Sequence, residues 1–151
     1  MTNAVTPEAV LPRPCSVART LDLIGEKWTV LVLREVFLRV RRFDDIQRNT
    51  GAPRDILSNR LRKLVAAGIL DRHQYQDRPA RYEYRLTAKG RDLHPVLLTL
   101  MGWGDRYLSD GNPPLTLAHN CGAQFEPEVT CRVCGEPAAY RDLRITASLR
   151  D

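Results

Sequence analysis

The segment FDDIQRNTGAPRDILSNRLRKLVAAG, Phe43 to Gly68, decides the fold. Its first part, from Phe43 through Gln47, reads as a short helix that ends at Gly51, where a left-handed stop costs little. Asp44 and Asp45 fall in the first turn, where the helix dipole favours negative charge. Ala52-Pro53 follows, and proline suits the start of a helix because its missing N–H has no intrahelical partner there. The spacing of Leu57, Leu61, Leu64 and Val65 predicts one apolar face over Arg54 to Ala67, and Gly68 ends the run. Two helices joined by a tight turn, the second longer and more basic, make the local plan of a helix-turn-helix.

The flanks extend this plan. Ile69 to Tyr75 reads as a strand, Gln76 to Ala80 as a polar turn, and the alternating, β-prone Arg81-Tyr82-Glu83-Tyr84-Arg85-Leu86 as the return strand. A hairpin placed directly after the second helix of the pair is a wing. Thr87 is the expected cap of a long helix reaching about Leu108, kinked at Pro95 and weakened at Gly102 and Gly104. Upstream, Val17, Leu21 and Ile24 mark a helix from Cys15 to Gly25. Trp28, Leu31, Val32 and Val36 mark another from Lys27 to Leu38, and Arg41-Arg42-Phe43 is short and extended. The expected class is mainly α with a small β-hairpin (α+β): a winged helix-turn-helix over residues 15–108. A flexible arm is expected at 1–14 and a separate tail at 109–151.

Charge is unevenly distributed. Residues 15–108 hold eighteen Lys or Arg against eleven Asp or Glu, whereas 109–151 hold four against six. The excess of positive charge in the middle segment is what a polyanion-binding domain requires. No apolar run reaches the about 18 residues of a membrane span, and the first fourteen residues do not read as a signal peptide, so a cytoplasmic chain is expected. The three histidines, His73, His94 and His119, form no nucleophile–base pattern, and no glycine loop would cradle a phosphate. An enzyme is not expected.

Several short stretches together resemble the HxlR-type branch of the winged-helix regulators, related to the MarR group. They are Cys15-Ser16-Val17-Ala18, Leu21 through Thr29 (LDLIGEKWT), Leu33-Arg34-Glu35, Arg42-Phe43, Leu57 through Leu64 (LSNRLRKL), Gly68-Ile69-Leu70 and Arg81 through Gly90 (RYEYRLTAKG). The resemblance implies a transcription factor, usually a repressor, that binds operator DNA as a homodimer. It also implies a response to a small-molecule effector or to oxidative and electrophilic stress.

A helix in a major groove reads base edges with its N-terminal polar residues. On the second helix of the pair, Arg54 suits guanine and Asn59 adenine. Ser58 suits a phosphate or a bridging water, and Arg62 and Lys63 suit the backbone. Arg60 is expected to face neighbouring structure. Arg78 and Arg81 flank the wing turn and suit phosphates or a minor groove, with Arg41, Arg42, Lys89 and Arg91 adding to the positive field. Val96, Leu97, Leu100, Met101, Trp103, Tyr107 and Leu108 exceed what one helix buries in a small domain. With Val17 and Leu21 they predict a homodimer packed through the N- and C-terminal helices.

Cys15 stands where related regulators often carry a cysteine. It reads either as a thiol switch, favoured by a helix N-terminus, or as a small apolar residue at the subunit interface. In the tail, His119-Asn120-Cys121-Gly122 and Cys131-Arg132-Val133-Cys134-Gly135 resemble the knuckles of a zinc ribbon. His119, Cys121, Cys131 and Cys134 would supply four ligands to a structural zinc, the alternatives being a tail without metal or a reversible Cys131–Cys134 disulfide. A zinc-ribbon protein-interaction adaptor that does not bind specific DNA is the competing function.

Overall fold

The computed structural model describes residues 15–147, so the expected arm at 1–14 lies outside the described residues. Six helices and one hairpin follow in the order α1 (Ser16–Ile24), α2 (Lys27–Phe37), α3 (Phe43–Thr50), α4 (Arg54–Ala66), β1 (Leu70–Gln76), β2 (Arg81–Leu86), α5 (Ala88–Arg91) and α6 (His94–Leu108). None of these helices is long and apolar enough to cross a membrane. The architecture is α+β, a winged helix-turn-helix, as the pattern predicts.

The core forms where α2 packs against α3 and α4. Val32, Leu33, Ile46, Leu57, Leu61 and Leu64 are fully buried there, with Ile69 and Leu70 closing one end. Truncating any one of these leucines to alanine typically costs about 2–5 kcal/mol, because the cavity left behind only partly collapses. The turn between α3 and α4 is closed by side chains from α3. Gly51 adopts φ 70°, the Gln47 Nε2 donates to the Ala52 carbonyl at 3.2 Å, and the Thr50 hydroxyl accepts from the Ala52 amide at 3.3 Å. Pro53 sits at the cap of α4, one position before the helix proper.

Strands β1 and β2 pair antiparallel from Leu70↔Leu86 to Gln74↔Tyr82, and the register slips between Gln74 and Gln76. The extended segment before α3 adds a single bridge, Arg42↔Glu83, and its Arg41 carbonyl accepts from the Tyr84 amide at 2.8 Å. The wing is thereby tied to the entry of the helix-turn-helix.

One sequence expectation is corrected. The region after Thr87 is two helices rather than one kinked helix. Thr87 caps only the single turn of α5, its hydroxyl accepting from the Gly90 amide at 3.0 Å, and the chain breaks before α6. Pro95 therefore lies in the first turn of α6, where its ring displaces no hydrogen bond. Gly90 and Gly102 are close-approach sites. A Cβ at Gly90 would overlap the Ile69 carbonyl, and one at Gly102 would overlap the Pro127 ring, so the tail lies directly on α6 at that point.

Candidate nucleic-acid interface

Helix α4 divides as its pattern predicts. Leu57, Leu61 and Leu64 are buried, whereas Arg54, Asp55, Ser58, Arg62 and Lys63 are exposed. Arg60 turns inward, as expected: its side chain is 18% exposed and pairs with Glu26 at the start of α2. Asn59 is half-buried, and its Oδ1 is buried without a hydrogen-bond partner. Reading adenine takes both the amide acceptor and the amide donor, so Asn59 must rotate before it can make that pair.

Between α3, the start of α4 and the wing runs a groove of about 510 Å³. Arg42, Arg48, Arg54, Arg72 and Arg81 line it, together with Asp44, Asp45, Tyr75 and Tyr82. Three of these guanidiniums lie over aromatic rings: Arg54 over Phe43 at 4.8 Å, Arg42 over Tyr75 at 4.7 Å and Arg72 over Tyr82 at 3.5 Å. Stacking fixes the plane of a guanidinium and leaves its edge free for an anion, so less side-chain entropy is lost when one binds. Tyr84 also lines the groove. Burial pushes its phenol above the ordinary value, and the charge of Arg72 partly opposes that rise.

Ion pairing sorts the cations. Arg34, Arg48, Arg54, Arg60 and Arg85 each have a carboxylate partner. For Arg54 that partner is Asp44 at 3.0 Å, across the helix-turn-helix turn. Among the described residues Arg62, Lys63, Arg72, Arg78 and Arg81 have none. Arg54 and Arg81, distant in sequence, thus face one groove. Ser58, Arg62 and Lys63 continue the exposed surface along α4, and Arg78 is exposed in the wing turn outside the groove lining.

Sequence reasoning missed Arg48, Arg72 and Tyr75. The signal for Arg72 was available: it faces Tyr84 across the hairpin, and Tyr84 lines the same groove. Lys89 and Arg91 keep their charges without a carboxylate partner among the described residues, and each is held by a backbone carbonyl. Lys89 Nζ donates to the Ala67 carbonyl at 2.8 Å, and Arg91 Nη1 to the Leu86 carbonyl at 3.2 Å. Each therefore satisfies a carbonyl at the end of an element, α4 for Lys89 and β2 for Arg91.

Cys15 is exposed at the cap of α1 and carries a free thiol. The tail forms two small turns, closed by the bridges Ala118↔Gln124 and Thr130↔Pro137, with Gly122 at φ 90° and Gly135 at φ 78°. In the second turn the Gly135 amide donates to the Cys131 carbonyl at 2.7 Å. The amides of Cys134 and Val133 reach the Cys131 sulfur and, with the Cys134 thiol, hold it below the ordinary thiol value. The four expected zinc donors are not assembled. Among the described residues no three His, Cys, Asp or Glu side chains are gathered so as to hold a metal. His119 instead turns its Nδ1 onto the Cys121 amide of its own loop at 3.3 Å.

Away from the groove, Val17 and Leu21 of α1 and Val96, Leu100, Trp103, Tyr107 and Leu108 of α6 are exposed. Trp103, 59% exposed, lies 5.3 Å from Tyr107, ring to ring.

Residues 23–112 match the HxlR-like helix-turn-helix family. The uncharacterised HTH-type transcriptional regulator Rv3095 of Mycobacterium tuberculosis is 49% identical over 130 residues, which are 85% of this chain and 82% of that one. Among solved structures, PA1607, described as a candidate transcription factor, superposes with a TM-score of 0.76 at 35% identity, covering 87% of this chain and 94% of that one. The redox regulator HypR in its oxidised form is likewise 35% identical, with a TM-score of 0.56, over 61% of this chain and 96% of its own.

Proposed function

The chain belongs to the HxlR-like helix-turn-helix family of transcriptional regulators, and from that membership we propose that it is a homodimeric, cytoplasmic repressor of sequence-specific operator DNA. In this reading α4 enters a major groove, with Arg54, Ser58 and Asn59 toward base edges and Arg62 and Lys63 toward the backbone. Arg78 and Arg81 of the wing take phosphates beside the same half-site. The observation that carries the reading is the arginine-lined groove joining the start of α4 to the wing. It places stacked guanidiniums beside the exposed face of that helix.

The dimer part rests on the exposed apolar faces of α1 and α6. Exposed apolar stripes of this kind mark a protein contact, and two copies double the footprint of one small winged helix. The signal is a thiol oxidant or a small molecule. The likeness to a redox regulator and the exposed thiol of Cys15 support the first, and the cavity described next supports the second.

The test is a gel shift with random duplex at low salt, followed by selection of bound genomic fragments. The expected result is salt-sensitive binding to random duplex and a recovered two-fold-symmetric sequence held far more tightly. No binding to any duplex at low salt would leave the protein-interaction adaptor as the better account.

A further inference from the structure

A second cavity, of about 540 Å³, lies on the side of α2 that faces α6. Leu31 of α2 and Leu38 at its cap, Leu98, Leu100 and Met101 of α6, and Leu115 of the following segment form its walls. This is the size and composition of a small-molecule site: apolar walls with a few polar groups. The polar groups are Arg34, Glu35, His94 and Asp105. Arg34 is neutralised by Glu35 at 2.7 Å, and His94 stacks on Phe37 with ring centroids 4.5 Å apart. Asp105 is the remaining charge, and its carboxylate has no ion-pair partner among the described residues.

The spacing on α6 sets most of this cavity apart from the surface assigned to the dimer, and Leu100 alone belongs to both. His94, Leu98, Met101 and Asp105 follow the steps i, i+4, i+7 and i+11, so they share one helix face. Val96, Leu100, Trp103 and Tyr107 repeat those steps two residues later, which is about 200° around the helix. The exposed stripe is the second one. A partner subunit seated on it leaves the first stripe facing this chain's own α2.

We infer that the cavity binds an elongated apolar molecule carrying one amine, its body between α2 and α6 and its ammonium group at Asp105. The stripe from His94 to Asp105 spans about 16 Å of helix, enough for an aromatic ring system and a short alkyl arm. The cavity also touches the DNA-facing half of the fold. Glu35, 3% exposed, accepts from Arg34 on Oε1 and from Asn49 of α3 on Oε2 at 2.8 Å. An occupant bearing on Arg34 or Glu35 therefore bears on the helix that leads into α4. This coupling rests on the DNA-binding reading; the site itself does not.

The test is a fluorescence titration of the full chain, without DNA, with dansylcadaverine (a naphthalene carrying a primary amine) and with the anionic anilinonaphthalene sulfonate. Saturable binding of dansylcadaverine at one per chain is expected. Asp105→Asn should weaken it about three- to fivefold, the range of a partly exposed ion pair, without weakening the sulfonate. Leu98→Trp should fill the cavity and abolish binding, with Met101→Phe as the second variant if circular dichroism shows the first unfolded. Equal binding to a folded, filled variant overturns the site, and so does preference for the sulfonate. Loss of binding in Trp103→Asp, at an exposed position outside the cavity lining, would place the probe at the subunit interface and also overturn it. In a second arm, saturating dansylcadaverine should change duplex affinity in the parent but not in Asn49→Ala. An unchanged parent refutes the coupling alone. If the chain binds no duplex at all, the regulator reading fails while the titration still decides the cavity.

Discussion

Replacing Arg81 by alanine gives the most direct measure of how the wing engages DNA. Arg81 is exposed at the start of β2, lines the arginine groove and has no ion-pair partner among the described residues. The folded protein should therefore lose less than about 0.5 kcal/mol, leaving DNA affinity as the quantity that changes. Each phosphate neutralised on B-DNA adds about 0.9 to the slope of log affinity against log salt. One contact from each of two subunits thus removes about 1.8 from that slope. Relative to the 1 M extrapolation, the loss at 0.1 M salt is about sixtyfold, roughly 2.5 kcal/mol, and at 0.3 M about ninefold. Fluorescence anisotropy with a labelled duplex at four or more salt concentrations measures both numbers. A change of half that size would mean one wing per duplex. A loss of affinity that is constant across salt, with the slope unaltered, would refute the phosphate assignment and place Arg81 in the architecture of the wing instead.

The Arg54–Asp44 pair is well exposed on both sides, so it contributes less than about 1 kcal/mol to the fold. Asp44→Asn should release Arg54 and remove a negative charge from the groove, tightening duplex binding about three- to fivefold. The gain should shrink in an Arg54→Ala background, and weaker binding by the single variant would contradict the account. Trp103→Asp should convert a dimer at micromolar concentration into a monomer in sedimentation velocity with its helical signal intact; a monomeric parent removes the basis for paired half-sites. Iodoacetamide followed by mass spectrometry should label Cys131 ahead of Cys15, Cys121 and Cys134. Hydrogen bonds from the Cys134 and Val133 amides hold its thiolate at lower pH, so its relative lead should be widest at low pH and close as pH rises through the ordinary thiol value. Equal rates at all four positions near neutral pH would show that those bonds do not persist in solution.

Local rules carried most of the architecture. Gly51, Pro53 and the leucine spacing of α4 specify the helix-turn-helix because each residue acts within one turn of itself. The return strand was equally legible, since alternation and turn chemistry are short-range. What escaped the sequence depends on partners far along the chain. The break between α5 and α6 is one case. Thr87 caps, as read, but only a single turn, in which Gly90 passes close to the Ile69 carbonyl of a segment twenty-one residues earlier. Gly102 is another: it reads as a weak point in a helix, whereas the structure uses its missing side chain to admit Pro127. In the groove, residue type singled out Arg54 and Arg81 but not the counter-ion on Arg54, since Asp44 was accounted for by the α3 dipole alone. In the tail, the knuckle-like spacing shows as two turns that each close on their own backbone.

The end of α4 is fastened to the foot of the hairpin: Lys89 holds the Ala67 carbonyl, and the Thr87 hydroxyl donates to the Gly68 carbonyl at 2.6 Å. Helix and wing are consequently one rigid stencil, and neither can slide without carrying the other along. Within one subunit the distance between what α4 touches and what the hairpin touches is fixed by the fold. A change in the spacing of target sites must then be absorbed outside this unit, in whatever sets one copy's pose against another, and altering the groove contacts alone would change preference without changing pitch.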